Sequence, residues 1–332
     1  MTTPPATTKR PIGFVRPRIP TNLRQYGILA ALAVIVILFQ ILTGGKLLLP
    51  GNINNLIQQN AYVLILAVGM VIVIIAGHID LSVGSVVALS TVILATALKA
   101  GWPMPLAVGA VLVVGPLLGL MMGLVIEYFD VQPFIATLAG MFLARGLCYV
   151  ISVDTLPIKD QTLRQFGLNY VYLYEDKFIR WTVVAALVVV VIAVYVLHQT
   201  RFGRTVYAVG GNRQSAQLMG LNASRARVSV YAISGLCAAF AGLLLGVQKL
   251  SGYSLNGIGL ELDAIAAAVI GGVLLSGGVG FVLGSLIGVL VLGTIQTFVT
   301  AANLDSYWTR IMTGVLLLVF VLVQRLLVRK PG

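Results

Sequence analysis

Apolar residues in this chain come in long unbroken runs separated by short polar or basic stretches. The runs fall at about 27–43, 61–76, 83–98, 104–126, 133–151, 181–198, 228–248, 262–275, 279–299 and 307–328. Inside them the residues show neither the alternation of a half-buried strand nor the 3.6-residue stripe of a surface helix. Such runs approach the ~20 apolar residues that a helix needs to cross a hydrocarbon layer. Lipid offers no hydrogen-bond partners, so a spanning segment is a helix or part of a closed barrel, and continuous runs select helices. The pattern predicts an all-α integral membrane protein of about ten transmembrane helices, with broken or short helices near 77–83 and 262–280. Segments 83–98 and 262–275 are short, the latter re-entrant or broken, and 133–151 carries Arg145 in its interior.

Composition strengthens this reading. Of 332 residues, 59% are hydrophobic and only 10% charged, too little charge to cover a soluble domain of this length. The 36 glycines, many of them within apolar runs, suit helices that approach closely in lipid. A net charge of +12 would suggest nucleic acid in a soluble chain. Here the basic residues lie between apolar runs without an aromatic-and-basic platform, so they read as topology signals and exclude nucleic acid as a partner. Cys148 and Cys237 each lie within an apolar stretch and read as packing residues, with neither a disulfide nor a metal site indicated.

Charge placement also sets an orientation. The tail 1–26 carries Lys9, Arg10, Arg16, Arg18 and Arg24 and no acid. No small-residue cleavage motif follows the first run, so it reads as a retained span rather than a signal peptide. The loop 199–227 has Arg201, Arg204, Arg213, Arg225 and Arg227 and no acid, and the chain ends on Arg325, Arg329 and Lys330. The loop 152–180 is mixed in charge. By the positive-inside rule the three purely basic segments are cytoplasmic, and ten spans put both termini and 199–227 on that side with 152–180 outside. The expected organisation is a cytoplasmic tail over 1–26 and a transmembrane domain over 27–328. In the loop 44–60, Pro50 and Gly51 signal a turn, and Asn52 to Asn60 suits either a short interfacial helix or a polar linker.

Three stretches carry candidate chemistry. The loop 199–227 reads QTRFGRTVYAVGGNRQSAQLMGLNASRAR. Ala216, Leu218 and Met219 among Gln and Arg suggest a short amphipathic helix, preceded by Gly210 and Gly211 and closed by Gly220 at its C-cap. Such a helix under the membrane is either a docking surface or a surface helix held by anionic lipid. In AGHIDLSVGSVVALS, residues 76–90, Asp80 is a functional candidate because a carboxylate at membrane depth is costly unless paired or wet. Asp80 and Ser82 also suit the cap of a helix that starts near Val83. In 259–288 the glycines 271, 272, 277, 278 and 280 interrupt an apolar segment, without the lysine of a phosphate-binding loop. Glu261 and Asp263 are expected at the outer mouth, with Asp263 capping.

These stretches resemble one family. TRFGRTVYAVGGNRQSAQLMGLN is similar, nearly continuously from Thr200 to Asn222, to the cytoplasmic loop of the ribose/xylose/galactose-type permeases of bacterial ABC importers. ELDAIAAAVIGG, SGGVG, PFIATLAGMFLARG and Leu156-Pro157-Ile158 extend the resemblance over roughly 50–325. It is closest to the galactofuranose-type branch. The family carries Gly-Gly-Ile-Asp-Leu-Ser-Val-Gly where this chain has His78 in place of the second glycine. The resemblance implies that Gly211, Asn212, Ala216 and Gly220 belong to a helix that couples to a separate ATPase, flanked by Arg201, Arg204 and Arg213. It further implies a second permease subunit, an extracytoplasmic sugar-binding protein and a bacterial inner-membrane location. Asp80, Ser82, Ser85, Gly277 and Gly278 are the candidates for the pathway or the helix breaks.

The chain has no P-loop, so any ATP sits on the partner and no cofactor belongs to this chain. No catalytic triad or metal-ligand constellation is legible in it. The rival readings are an ion-coupled secondary sugar transporter, a membrane-embedded enzyme and a permease for a furanosyl signalling molecule.

Overall fold

The structure is a computed structural model that describes residues 21–168, 170–174 and 177–328. The basic tail therefore lies mostly outside the described residues, as do the side chains at the basic C-terminal end. Within them, each of the ten apolar runs forms a helix. The chain begins with α1 (Thr21–Leu42), a short α2 (Pro50–Gln59) and α3 (Ala61–Ile75). Then come α4 (Val83–Lys99), α5 (Met104–Tyr128) and α6 (Pro133–Ile151). A connecting region follows, with β1 (Leu156–Pro157), α7 (Gln161–Leu168) and the hairpin of β2 (Tyr170–Tyr174) and β3 (Lys177–Arg180). Next are α8 (Trp181–Gln199), α9 (Arg201–Gly211), α10 (Arg213–Leu218) and α11 (Ala223–Lys249). The chain continues through β4 (Ser251–Gly252), α12 (Leu260–Ile270), α13 (Val282–Ala301) and α14 (Tyr307–Val328). Proline in the first turn of α2, α5 and α6 marks starts where no backbone donor is lost.

Among the described residues, five helices are long and apolar enough to cross a membrane: α5, α6, α8, α11 and α13. The pair α2–α3, bent by 47° at Asn60, has the length and apolar composition for a sixth crossing when taken as one broken span. The described apolar parts of α1, α4 and α14 are shorter, and α12 has 11 residues, roughly 16 Å at ~1.5 Å per residue. The run 262–275 is therefore a half-length helix, because Gly271 and Gly272 end it.

The centre of the bundle is α11 with α3. In α11, 78% of the most apolar window is buried, against 33% in α5 and α8, which leaves those two at the periphery. Every residue of α3 except Tyr62 is buried. Helix α11 packs on α5, α4 and α3. Its contact with α5 is closest where Gly115, Gly119 and Gly123 recur every fourth residue, and a Cβ at Gly119 would collide with Tyr231 O. Lipid gives no hydrophobic drive between helices, so close backbone packing of this kind supplies the attraction.

After α11 the chain does not pass straight into a spanning helix. Strand β4 pairs antiparallel with β1, and Ile158 N donates to Leu250 O at 2.8 Å. The segment then descends beside α4. Gly252 lies against Thr91 and Ala95, Tyr253 N and Asn256 Nδ2 donate to Thr91 Oγ1 at 3.4 Å each, and Gly257 packs on Gly84. This traces α4 backwards from Ala95 to Gly84, roughly 16 Å of its axis at ~1.5 Å per residue. Non-helical backbone at such depth needs partners from protein. Arg145 supplies them: Nη1 donates to Ser254 O and, at 2.9 Å, to Asn256 O. Arg310 donates to Ile258 O at 3.3 Å. This corrects one expectation: Glu261 is not at an outer mouth but beside Gly84, near the start of α4. Asp263 is not the cap of α12 either. The N-cap is Gly259, at φ +85°, and its N–H donates to Glu261 Oε1 at 3.2 Å.

Candidate functional site

The loop 199–227 folds as two consecutive helices with three side-chain caps. Thr200 Oγ1 accepts from Gly203 N at 3.2 Å and starts α9. Asn212 is extended (φ −160°), ends α9 through its N–H to Ala208 O, and starts α10 by accepting from Ser215 N at 2.8 Å. Asn222 accepts from Arg225 N at 3.0 Å and starts α11. Short polar side chains at these three positions satisfy backbone donors left free at each helix start. Gly220, at φ +77°, closes α10 in the left-handed conformation that glycine adopts without cost.

The apolar residues of α10 do not share one face, contrary to the amphipathic reading. Ala216 is fully buried against Val209 and Ala223, whereas Leu218 is 90% exposed and Met219 68%. Arg201, Arg204, Gly211, Asn212 and Gly220 are also exposed. The result is a buried pivot at Ala216 and an exposed apolar tip rimmed by polar and basic groups.

Helix α9 touches both helix breaks. Gly77 (φ +86°), between α3 and α4, and Gly277 (φ +80°) and Gly278 (φ +71°), between α12 and α13, meet at Gly210. Gly278 N donates to Ile75 O at 2.8 Å. A Cβ at Gly277 would lie 2.7 Å from both Gly77 Cα and Gly210 O, so three backbones cross where no side chain fits. Tyr207 Oη donates to Gly280 O at 2.7 Å, and burial pushes its phenol up to about 12, so it remains a donor at neutral pH.

The break at 76–82 is held from inside. Asp80, 1% exposed, accepts from Ser82 N at 2.9 Å, Ser82 Oγ at 2.6 Å and Ser234 Oγ at 2.7 Å. Ser82 occupies the N-cap of α4 without a side-chain cap bond, so Asp80 fixes the helix start by fixing Ser82. Ser82 and Ser85 are buried as well, which places all three inside the protomer. His78 Nε2 lies 3.0 Å from Arg227 Nη2, and Nδ1 lies 3.1 Å from Tyr231 Oη. Arginine only donates, so Nε2 is the acceptor and Nδ1 carries the proton.

Glu127, at the end of α5, joins these two regions. Its Oε1 pairs with Arg213 Nη2 at 2.7 Å and its Oε2 with Arg227 Nη1 at 2.8 Å. The sequence reading missed Glu127, Tyr207 and Tyr231, and read Arg227 only as loop charge. The one available signal was a pair of acids, Glu127 and Asp130, in a short connection after an apolar run that carries no basic residue. A separate cleft of about 610 Å³, flanked by Val188, Ile192, Ile233 and Phe240, has an apolar lining that offers no hydrogen bonds to a polyol.

The family model described as branched-chain amino acid transport system / permease component matches residues 52–321. The chain is 43% identical to the inner membrane ABC transporter permease protein YjfF of Escherichia coli, over 82% of this chain and 83% of that one. It is 40% identical to the fructose import permease protein FruG of Bifidobacterium longum, over 90% of this chain and 91% of that one. It is 38% identical to the ribose import permease protein RbsC of Haemophilus influenzae, over 83% of this chain and 85% of that one. No solved structure matches. The chain therefore belongs to the family of multi-pass ABC importer permeases that includes these sugar import subunits, which are transport components rather than enzymes.

Proposed function

We propose that this chain forms the transmembrane pathway for a monosaccharide of the galactofuranose, galactose or ribose kind. A binding protein delivers the sugar from the extracytoplasmic side, and a separate ATP-binding-cassette subunit drives the cycle. A second permease subunit, either a paralogue or a second copy of this chain, completes the pathway. Both termini and the segment 199–227 face the cytoplasm, and ATP binds only to the partner ATPase.

The observation that carries this reading is the construction of 199–227. Its tip, Leu218 and Met219, is apolar and exposed, while its base, α9, is packed against both helix breaks. A force applied at the tip thus reaches the two places where α3–α4 and α12–α13 are already interrupted. Interrupted helices are where transporters switch between packings. The ATPase-coupling set is Arg201, Arg204, Gly211, Asn212, Arg213, Ala216 and Gly220, with Ala216 acting from inside as the buried support of α10. Gly277 and Gly278 act as break residues that receive α9. Family membership disfavours the ion-coupled alternative.

The test is co-purification of the detergent-solubilised chain with its ATPase, for wild type, Gly211→Trp and Ala216→Arg. A Cβ at Gly211 meets no atom within 4 Å, so tryptophan there projects from the docking surface rather than into the core. Arginine at the buried Ala216 dislodges α10. Wild type binds the ATPase and both variants lose it. Equal binding by all three overturns the assignment. Uptake of labelled galactose or ribose by proteoliposomes lacking the ATPase would return the ion-coupled reading.

A further inference from the structure

The glycine junction is a steric contact, and it does not explain a second set of groups that spans the same distance. Arg213 begins α10, Glu127 ends α5, Arg227 lies on α11, and His78 lies in the break between α3 and α4. They form one continuous chain of contacts: Arg213 to Glu127 at 2.7 Å, Glu127 to Arg227 at 2.8 Å, Arg227 to His78 at 3.0 Å, and His78 to Tyr231 at 3.1 Å.

The chain is asymmetric. The side chains of Glu127 and Arg227 are 3% and 10% exposed, whereas that of Arg213 is 40% exposed. The inner pair is thus sealed and the outer cation sits on the element whose tip is free. Burying a charge is costly unless its partner moves with it. Arg227 is shared: Nη1 serves Glu127 and Nη2 serves His78. While Arg213 pairs with Glu127 Oε1, Arg227 would have to share that oxygen with a second cation, and it pairs with Oε2 alone. When α10 withdraws Arg213, Oε1 opens, and Arg227 gains by turning both nitrogens onto one carboxylate, the bidentate arrangement arginine favours. His78 then loses its donor. Two residues further on, Asp80 holds Ser82 and Ser234, so His78 sits where the start of α4 is tied to α11.

We propose that Glu127, Arg227 and His78 are positioning residues of the transport cycle, a charge relay in which displacement of Arg213 on α10 switches Arg227 between His78 and Glu127 and so releases the break between α3 and α4. The proposal rests on the reading of 199–227 as the ATPase-docking element.

The complete complex of permease, ATPase and binding protein in proteoliposomes tests it. ATP hydrolysis is measured with the binding protein empty and after loading with D-galactose or, in a parallel series, D-ribose. ATPase retained on purification is scored separately. Glu127→Gln retains the ATPase and hydrolyses ATP at the wild-type rate with empty binding protein. Its stimulation by loaded binding protein falls about tenfold, within the usual range of coupling between sites. Glu127→Asp, which keeps the charge, restores most of the stimulation. Should Glu127→Gln fail to assemble, His78 decides: His78→Gln keeps an acceptor for Arg227 and stays coupled, whereas His78→Leu does not and uncouples. Wild-type stimulation in Glu127→Gln, or in His78→Leu, overturns the relay. A wild-type chain that retains no ATPase overturns the docking reading instead, and the relay with it.

Discussion

Gly210 and Gly211 are adjacent at the end of α9, yet their surroundings differ completely. A Cβ on Gly210 would collide with Ile75 O and lie 2.8 Å from Gly278 N. These two atoms are the acceptor and donor of the bond that ties the α12–α13 break to α3. The methyl of Gly210→Ala would thus enter a hydrogen bond. Leaving its buried groups unsatisfied costs ~1–3 kcal/mol. Overpacking against backbone adds ~1–3 kcal/mol. The better helix propensity of alanine returns up to ~1 kcal/mol. The net loss is about 3 kcal/mol. Gly211→Ala meets open space and should gain ~0.5–1 kcal/mol through the unfolded chain. The assay is the temperature at which half of a detergent-solubilised fluorescent fusion leaves its monodisperse size-exclusion peak. Gly210→Ala should fall by several degrees while Gly211→Ala stays level or rises. Equal shifts for the two, or a wild-type midpoint for Gly210→Ala, would refute the three-backbone crossing.

Two further outcomes follow from the same geometry. Arg145→Leu removes the donor for the carbonyls of Ser254 and Asn256, each charge-assisted bond being worth ~1.5–3 kcal/mol. Sugar uptake should be lost while ATPase co-purification persists, and Arg145→Lys, a single-point donor, should recover only part of the uptake; full uptake in Arg145→Leu would sink this account. Tyr207→Phe deletes the bond to Gly280 O, for a loss of ~1 kcal/mol. The phenol is raised to about 12, so its bond contributes fully below the unfolded value of 10.0 and is lost only as pH rises through about 12. The stability difference between Tyr207→Phe and wild type should therefore be constant from about pH 6 to 9 in the same heating assay, and a difference that changes across that range would contradict it.

What was legible in the sequence is what depends on local residues. Continuous apolar runs specify helices in lipid whatever surrounds them, so each run became one. The left-handed Gly220 is likewise local and was legible as a C-cap; the caps at Thr200, Asn212 and Asn222 are as local but were not read. The misplaced features depend on contacts between distant segments. The partners of Arg145 lie 109 and 111 positions along the chain, and Glu127 meets Arg213 across 86. Composition places Glu261 near an aqueous boundary, and only the descent of 251–259 along α4 puts it beside Gly84. On α10, a three-residue apolar set within a single turn of helix cannot say which member faces inward. Ala216 does so because Val209 and Ala223 form its socket.

The re-entrant segment also bears on how the protein is made. Helix α12, with 11 residues and two acids in its first turn, is too short and too polar to partition into lipid alone. Two supports of the segment that leads into it come earlier in the chain: Thr91 on α4 and Arg145 on α6 are synthesised more than a hundred residues before the residues they hold, whereas Arg310 on α14 follows. During biosynthesis, α4 and α6 are made, with the arginine available, before 251–259. Insertion of the last third is therefore a templated event, and a nascent chain truncated after α13 should hold α12 only if α6 is intact.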